Sequence, residues 1–317
     1  MNKMVFDAHG DILTDMYLQY KETNKFDSFR RRHLDKYKKA NIKGSIFVNY
    51  TDPFNGNKEM FNEIFDVAFK ELEENKDILS ICLNMNDFYK AVSEDKIGVF
   101  LGIEGLSFLE DINELKSLYN KGIRHAIITW NEVNKYGSGI SENKTGLTDL
   151  GVQLVKEMNK LGMIIDLAHS NEKTFFDILN NTKGPIIISH GNCKTLCNHP
   201  RNYTDKQLMA IKERKGVIGL TNIAGFISKK KKNQTVKYLA KHIDYAVKLL
   251  GIDYVGLGLD ICFYLDPLRK DTRVKGFEDI DKLDNLRIEL FNLGYTKSEI
   301  EKIMHKNFLR VIADILK

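Results

Sequence analysis

The chain opens with Val5-Phe6-Asp7-Ala8-His9-Gly10-Asp11, an apolar run ending in a histidine and an aspartate two positions apart. Side chains at i and i+2 of a strand point to one face, so a strand here projects His9 and Asp11 together. An imidazole beside a carboxylate makes a good pair of zinc ligands. The same construction recurs at Glu104 in Gly102-Ile-Glu-Gly105, at His169 in Asp166-Leu-Ala-His169 and at His190 in Ile188-Ser-His190. It recurs again at Asp260 in Gly256-Leu-Gly-Leu-Asp260. Two imidazoles, a His–Asp pair and a glutamate are more than one tetrahedral zinc needs. They suit two metal ions about 3.5–4 Å apart, bridged by a carboxylate and by a hydroxide that forms at neutral pH. Two protein carboxylates and a hydroxide leave such a centre mildly cationic, which favours a substrate carbonyl and an oxyanion transition state.

These residues need elements that bring them to one place. Short apolar, β-branched runs alternate with longer helical patterns. The runs are Met4–His9, Gly44–Tyr50, Ile97–Glu104, Ile123–Trp130, Met163–His169, Pro185–His190, Gly216–Asn222 and Tyr254–Asp260. Near-continuous hydrophobic runs are expected of parallel strands covered on both faces. Between them, apolar residues recur at spacings of three and four, as in Leu150, Leu154, Met158 and Leu161, or Leu239, Ile243, Ala246 and Leu250. Thr204-Asp-Lys-Gln207 and Thr296-Lys-Ser-Glu299 are capping-box sequences, and Gly122, Gly162, Gly216 and Gly251 stand where helix C-caps belong. Eight strand–helix units predict a (β/α)8 barrel over residues 1–317 as one domain, with its active site at the C-terminal ends of the strands. A helix pair, Lys58–Lys76 and Met85–Ser93, intervenes before the third strand. Phe263 to Gly276 reads as a loop over the barrel mouth, and helices near Asp279–Leu293 and Ser298–Leu316 are expected against the outer wall. Tyr50, Asn222, Phe263 and Tyr264 are candidate pocket-lining residues.

The net charge of +5 is the small difference between 48 basic and 43 acidic residues. The dense basic run Lys229 to Lys232 is short and lacks aromatics, which argues against nucleic acid. No signal peptide is read before the first strand, and no apolar stretch reaches the roughly 18 residues that span a bilayer. The four cysteines form no CxxC pair, so reduced thiols and a cytoplasmic protein are expected. His33, His199, His242 and His305 read as capping or surface residues. His125 reads as a packed histidine, and Asp166 as a structural or supporting carboxylate that faces away from the rim.

Taken together, His9-x-Asp11, Gly102-Ile-Glu-Gly105, Asp166-Leu-Ala-His169, Ser189-His190, Arg201-Asn202 and Gly256-Leu-Gly-Leu-Asp260 resemble the membrane (renal) dipeptidase family of zinc peptidases. The likeness runs to Asn307-Phe-Leu-Arg-Val311 in the last helix. It implies a binuclear zinc hydrolase that cleaves dipeptides, with tolerance for a D-residue at the C-terminal position. By motif position, His9 and Asp11 would hold one Zn2+ and His169 and His190 the other. Glu104 and a hydroxide would bridge the two. Asp260 matches the proton-transferring aspartate, and Arg201 the arginine that grips the substrate's C-terminal carboxylate, a task suited to a guanidinium fork. One position departs from the family. Where animal members carry a substrate-binding histidine, this chain has Trp130, whose indole N–H donates a hydrogen bond but cannot act as an acid. Asn131 or Asn134 is then the candidate replacement donor.

The expected partner is a small dipeptide, with neither nucleic acid nor membrane, in a chain that pairs as a homodimer. Two rivals are open at this point. An amidohydrolase acting on N-acyl amino acids or cyclic amides would use the same metals and Asp260. A catalytically silent metal- or peptide-binding protein would account for Trp130 but would have no need of a proton shuttle.

Overall fold

The computed structural model describes residues 4–265 and 272–316. Its parallel strands are β1 (Val5–Gly10), β2 (Ile42–Tyr50), β3 (Leu79–Ile81), β4 (Ile97–Glu104) and β5 (Ile123–Ile127). They continue with β6 (Ile164–Asp166), β7 (Ile187–Gly191), β8 (Val217–Leu220) and β9 (Val255–Leu257). Pairing runs β1-β2-β4-β5-β6-β7-β8-β9, with helices between successive strands. This is the expected eight-stranded α/β barrel. The additional strand, β3, pairs with the first half of β4 through Leu79↔Ile97. Three residues between two helices carry too little periodicity to be read in advance.

The seam between β9 and β1 is closed by a side chain. Asp7 Oδ1 accepts from the Leu259 N–H at 2.8 Å, and the Asp260 N–H points to the His9 carbonyl at 3.4 Å. Burial pushes the Asp7 carboxyl up to about 7.

Beneath the catalytic rim the barrel is filled with phenylalanine. Phe6 lies against Phe88, Phe100 and Phe308, with ring centroids 6.3, 6.1 and 6.0 Å away. Glycines make the room. A Cβ on Gly44 or Gly98 would stand 2.5 or 2.6 Å from Phe88, and one on Gly256 would stand 2.5 Å from Phe308. The last helix, Asn307–Ile315, therefore enters the N-terminal mouth and does not lie on the outer wall as expected. Phe308, Val311 and Ile312 share a core with the inward Phe6, Ile46, Ile164 and Val217. Burying such aromatics is favourable by a few kcal/mol each, enough to fix which end of the helix turns in.

Both predicted capping boxes form, at Thr204 and at Thr296. Gly122, Gly162 and Gly251 take positive φ after helices. Gly216 does not: Lys215 makes the left-handed turn (φ 54°), and Gly216 is needed because a Cβ there would meet the Ile186 carbonyl at 2.1 Å. Of the loop from Phe263 to Gly276, residues 266–271 lie outside the described residues.

Candidate metal centre

The site residues reach the rim by departures from regular strand geometry. In β1 the register passes from Asp7↔Ser45 to Gly10↔Phe47, three steps against two, and in β7 from Ile188↔Ile218 to Gly191↔Leu220. Each is a bulge that inserts one residue and re-aims a side chain, so His9 and His190 turn inward beside residues that simple alternation would not have placed with them. Strands β6 and β9 end earlier than the sequence suggests, at Asp166 and Leu257. His169 (φ 66°) and Asp260 (φ 52°) follow in the left-handed region, which is uncommon for residues with a Cβ. Glu104 closes β4, and Asp11 precedes helix Ile12–Thr23.

All six predicted rim residues converge. Glu104 Oε2 is 3.6 Å from His9 Nε2, which in turn lies 3.9 Å from Asp11 Oδ1. Glu104 Oε1 faces the other way, 2.7 Å from His169 Nε2 and 3.7 Å from His190 Nε2. His9, Glu104 and His190 offer ligand atoms within 4.8 Å of one another, and so do His9, Asp11 and Asp260. One carboxylate thus presents its two oxygens to two different sets of ligands.

The donor set fits a cation. His190 Nε2 accepts from Arg201 Nη2 at 2.7 Å, because a guanidinium only donates. Its hydrogen is therefore on Nδ1, 2.9 Å from Ser189 Oγ. As the Asn131 amide is oriented, its Oδ1 accepts from His169 Nδ1 at 3.0 Å. The Nε2 lone pairs of both rings then face each other at 3.0 Å, beside Glu104 Oε1. Arg201 already supplies one positive charge at His190 Nε2, and a bound cation would relieve the rest of the repulsion among these acceptors. Both ring nitrogens of His9 are buried without a hydrogen-bond partner, which is costly unless a metal or proton takes one lone pair. Burial, helped by Arg201 and His9, holds His169 and His190 well below the ordinary imidazole range, so both rings are neutral and competent as ligands. Burial pushes Glu104 and Asp260 each up to about 7; bound cations would draw both back down.

His125 and Asp166 are structural, as the sequence suggests. His125 Nε2 and Asp166 Oδ2 are 2.8 Å apart, and Asp166 Oδ1 accepts from the Ala168 and Ser189 N–H groups. Burial alone would raise Asp166, yet these bonds hold it below its usual range. They also fix the backbone on which His169 and His190 stand.

A cavity of about 350 Å³ opens over the centre, lined by Asp11, Tyr50, Glu104, Trp130, Asn131, His169, Arg201 and Asp260. This volume suits a small molecule. Trp130 stands at the rim, its ring 5.3 Å from Tyr50 and 5.8 Å from His169. Asn131 uses its amide oxygen on His169, and Asn134 turns away to the Ile128 carbonyl. Of the four candidate pocket residues, Tyr50 alone lines this cavity. Tyr264 packs edge-on against His33, and Asn222 donates to the Phe277 carbonyl. His33, His242 and His305 are buried and none is a surface residue, though His33 does stand at the N-cap position of helix Leu34–Ala40. His33 pairs with Asp15 at 2.7 Å, while His242 and His305 occupy inward faces of their helices. His199 was the fourth of that group, but it lines the cavity and lies against Phe226 at 4.4 Å. Ile223 and Phe226 join it from the single helical turn Ala224–Ile227 and its N-cap, too short for sequence periodicity to give a signal.

Among the described residues no helix is long and apolar enough to cross a membrane. Residues 1–317 match the family described as Membrane dipeptidase (Peptidase family M19). The chain is 29% identical over 262 residues to Dipeptidase tcpJ of Claviceps purpurea, with 81% of this chain and 60% of that one covered. It is 34% identical over 224 residues to an uncharacterized dipeptidase of Schizosaccharomyces pombe, covering 68% of this chain and 52% of the relative. It therefore spans little more than half the length of these two relatives. Its fold matches the crystal structure of a metallo peptidase from Rhodobacter sphaeroides liganded with a phosphinate mimic of the dipeptide L-Ala-D-Ala. The TM-score is 0.88 at 20% identity, with 98% of this chain and 99% of that one covered. The chain belongs to the membrane dipeptidase family and is a metal-dependent peptide-bond hydrolase.

Proposed function

We propose that this chain hydrolyses the single peptide bond of a dipeptide at a centre of two zinc ions. The observation that supports two ions is Glu104, whose oxygens face His9 on one side and His169 with His190 on the other. In this reading His9 and Asp11 would hold one zinc, His169 and His190 the other, and Glu104 would serve both. The zinc ions, when bound, supply the charge that acidifies water near neutral pH and polarises a carbonyl.

The remaining chemistry belongs to the chain. Arg201, 5% exposed, grips the substrate's C-terminal carboxylate and so limits the substrate to two residues. An Asp260 carboxylate oxygen takes the proton from the attacking water and delivers it to the leaving amine. Asn131 and Ser189 hold the tautomers that put the lone pair on Nε2 of His169 and His190, the latter now accepting from Arg201, which would give way to the ion. Trp130 and Tyr50 wall the cavity, and the indole N–H serves as a donor to substrate without moving a proton. A C-terminal D-residue is accepted in this reading, on the family resemblance alone. The four cysteines form no disulfide, in keeping with assignment to the cytoplasm, and the homodimer rests on the resemblance.

The test is zinc content and turnover measured together. About two zinc ions per chain are expected, with hydrolysis of L,L and L,D dipeptides but not of tripeptides or N-acyl amino acids. Turnover of N-acyl amino acids with dipeptides untouched would replace this reading with an amidohydrolase. Bound zinc with no turnover of any of these would replace it with a silent binder.

A further inference from the structure

Beside Arg201 the cavity over the metal centre is walled by apolar groups. Ile223 and Phe226 line it there, the first as N-cap of the helical turn Ala224–Ile227 and the second within that turn. The Phe226 ring lies 5.7 Å from the guanidinium carbon of Arg201 and 4.4 Å from the His199 ring. Backbone contacts fix this wall against Arg201. The Asn202 side-chain amide donates to the Phe226 carbonyl at 2.7 Å and to the Cys197 carbonyl at 2.8 Å, tying the loop after β7 to the turn after β8. The ionisable groups of the cavity already have work to do. Asp11, Glu104, His169 and Asp260 belong to the metal centre, and Arg201 is assigned to the substrate's main-chain carboxylate. His199 adds no charge. Its Nδ1 accepts from the Arg201 N–H at 3.2 Å, and burial, helped by Arg201 and Lys229, holds the ring below the ordinary imidazole range. Among the described residues, then, the lining keeps no charged group in reserve for an ionised substrate side chain, whose desolvation would go uncompensated. An apolar side chain in the same place leaves water and gains contact with Phe226 and Ile223.

We infer that Phe226 and Ile223 form the subsite for the side chain of the substrate's C-terminal residue, so that dipeptides ending in a large apolar residue are the preferred class. The inference rests on the dipeptidase reading above. That side chain branches from the carbon that bears the carboxylate, so a carboxylate held on Arg201 brings its Cβ to the ring beside the guanidinium. The N-terminal residue has its Cα about 3.8 Å further along the chain, across the scissile bond. Phe226 therefore discriminates at the second position and not at the first. A polar side chain of equal bulk fills the same space but leaves its amide without partners on this wall, so the discrimination is one of desolvation and not of size.

The experiment compares kcat/KM of the zinc-loaded protein for dipeptides matched in bulk, Ala-Leu against Ala-Asn and Ala-Met against Ala-Gln. Leu-Ala against Asn-Ala serves as the mirrored pair. The apolar C-terminal residue should be favoured about tenfold. In Phe226→Ala the ratio of Ala-Leu to Ala-Asn should fall severalfold, while the ratio of Leu-Ala to Asn-Ala stays where it was. Phe226→Gln, which keeps much of the bulk but not the apolar surface, should lower the same ratio and covers the case in which the alanine variant does not fold. A C-terminal ratio near one in the unaltered protein overturns the inference, and so does a variant in which both ratios fall together or neither falls. Absence of turnover on every dipeptide, Ala-Ala included, would instead defeat the dipeptidase reading. The subsite is then still tested by calorimetric titration with the uncleaved dipeptides, where equal affinities for Ala-Leu and Ala-Asn reject it.

Discussion

Acidification should loosen the loops that carry Arg201, through a histidine remote from the metals. His242 is 1% exposed on helix Val236–Leu250. Its Nδ1 accepts from the Cys193 N–H at 3.2 Å and its Nε2–H donates to the Ile227 carbonyl at 3.0 Å, tying the loop after β7 to the loop after β8. The first bond requires the neutral ring, whereas the second is also made by the protonated one. Burial lowers its pKa from 6.5 to about 4. A folded-state value below the unfolded one means that the unfolded chain binds the proton first. The stabilisation is therefore complete above about pH 6.5 and is lost as pH falls toward 4. That gap corresponds to about 3 kcal/mol at most. Glutamine can keep both bonds without titrating, so His242→Gln is the control. Urea unfolding of the chelated protein at several pH values would measure both chains; chelation removes metal linkage from the comparison. The stability difference between them should shift by about 3 kcal/mol in favour of the variant between pH 7.5 and 4. Parallel pH profiles for the two would refute the argument, because His33 and His305 titrate alike in both.

Three other outcomes follow from the site and the barrel filling. Asp260→Asn should keep its zinc and its KM for a dipeptide, while kcat falls by about 10²–10⁴-fold; unchanged kcat would remove Asp260 from the proton transfer. Asn131→Ala should weaken zinc affinity by about 10–100-fold, because His169 loses the bond that sets its tautomer. Competition with a chromogenic chelator measures this, and unaltered affinity would show that the bond does not matter. Phe308→Ala should lower unfolding stability by about 3–5 kcal/mol by opening a cavity beside Phe6 and Gly256, as read from a denaturant midpoint at constant slope.

Much of the barrel is legible in the sequence because local chemistry dictates it. Thr204 and Thr296 announce their helices within four residues, and the β-branched runs of β4 and β7 have no other stable use in a chain of this size. What the sequence conceals are contacts between distant segments. Gly44, Gly98 and Gly256 look like interruptions of strands until Phe88 and Phe308 occupy the space they leave. The last helix has a strongly apolar face whether it lies on the outer wall or enters the mouth. The choice depends on a complementary hole assembled from β1, β8 and β9, which no local pattern encodes.

The metal centre divides in the same way. His9, Asp11, Glu104, His169, His190 and Asp260 are legible by type and by their place after successive apolar runs, which is what sets them apart from the buried pairs His125–Asp166 and His33–Asp15. Their precise presentation is not legible, because it depends on bulges in β1 and β7 and on left-handed residues after β6 and β9. These are the points where the barrel gives up regular pairing. A regular strand shows alternate residues to the interior at about 7 Å intervals, too far apart to surround one or two ions. The irregular backbone is thus a requirement of the chemistry: the seam left to Asp7 and the strained turns at His169 and Asp260 bring six side chains to one point. Regularising any of them would stabilise the strand while pulling a ligand away from that point.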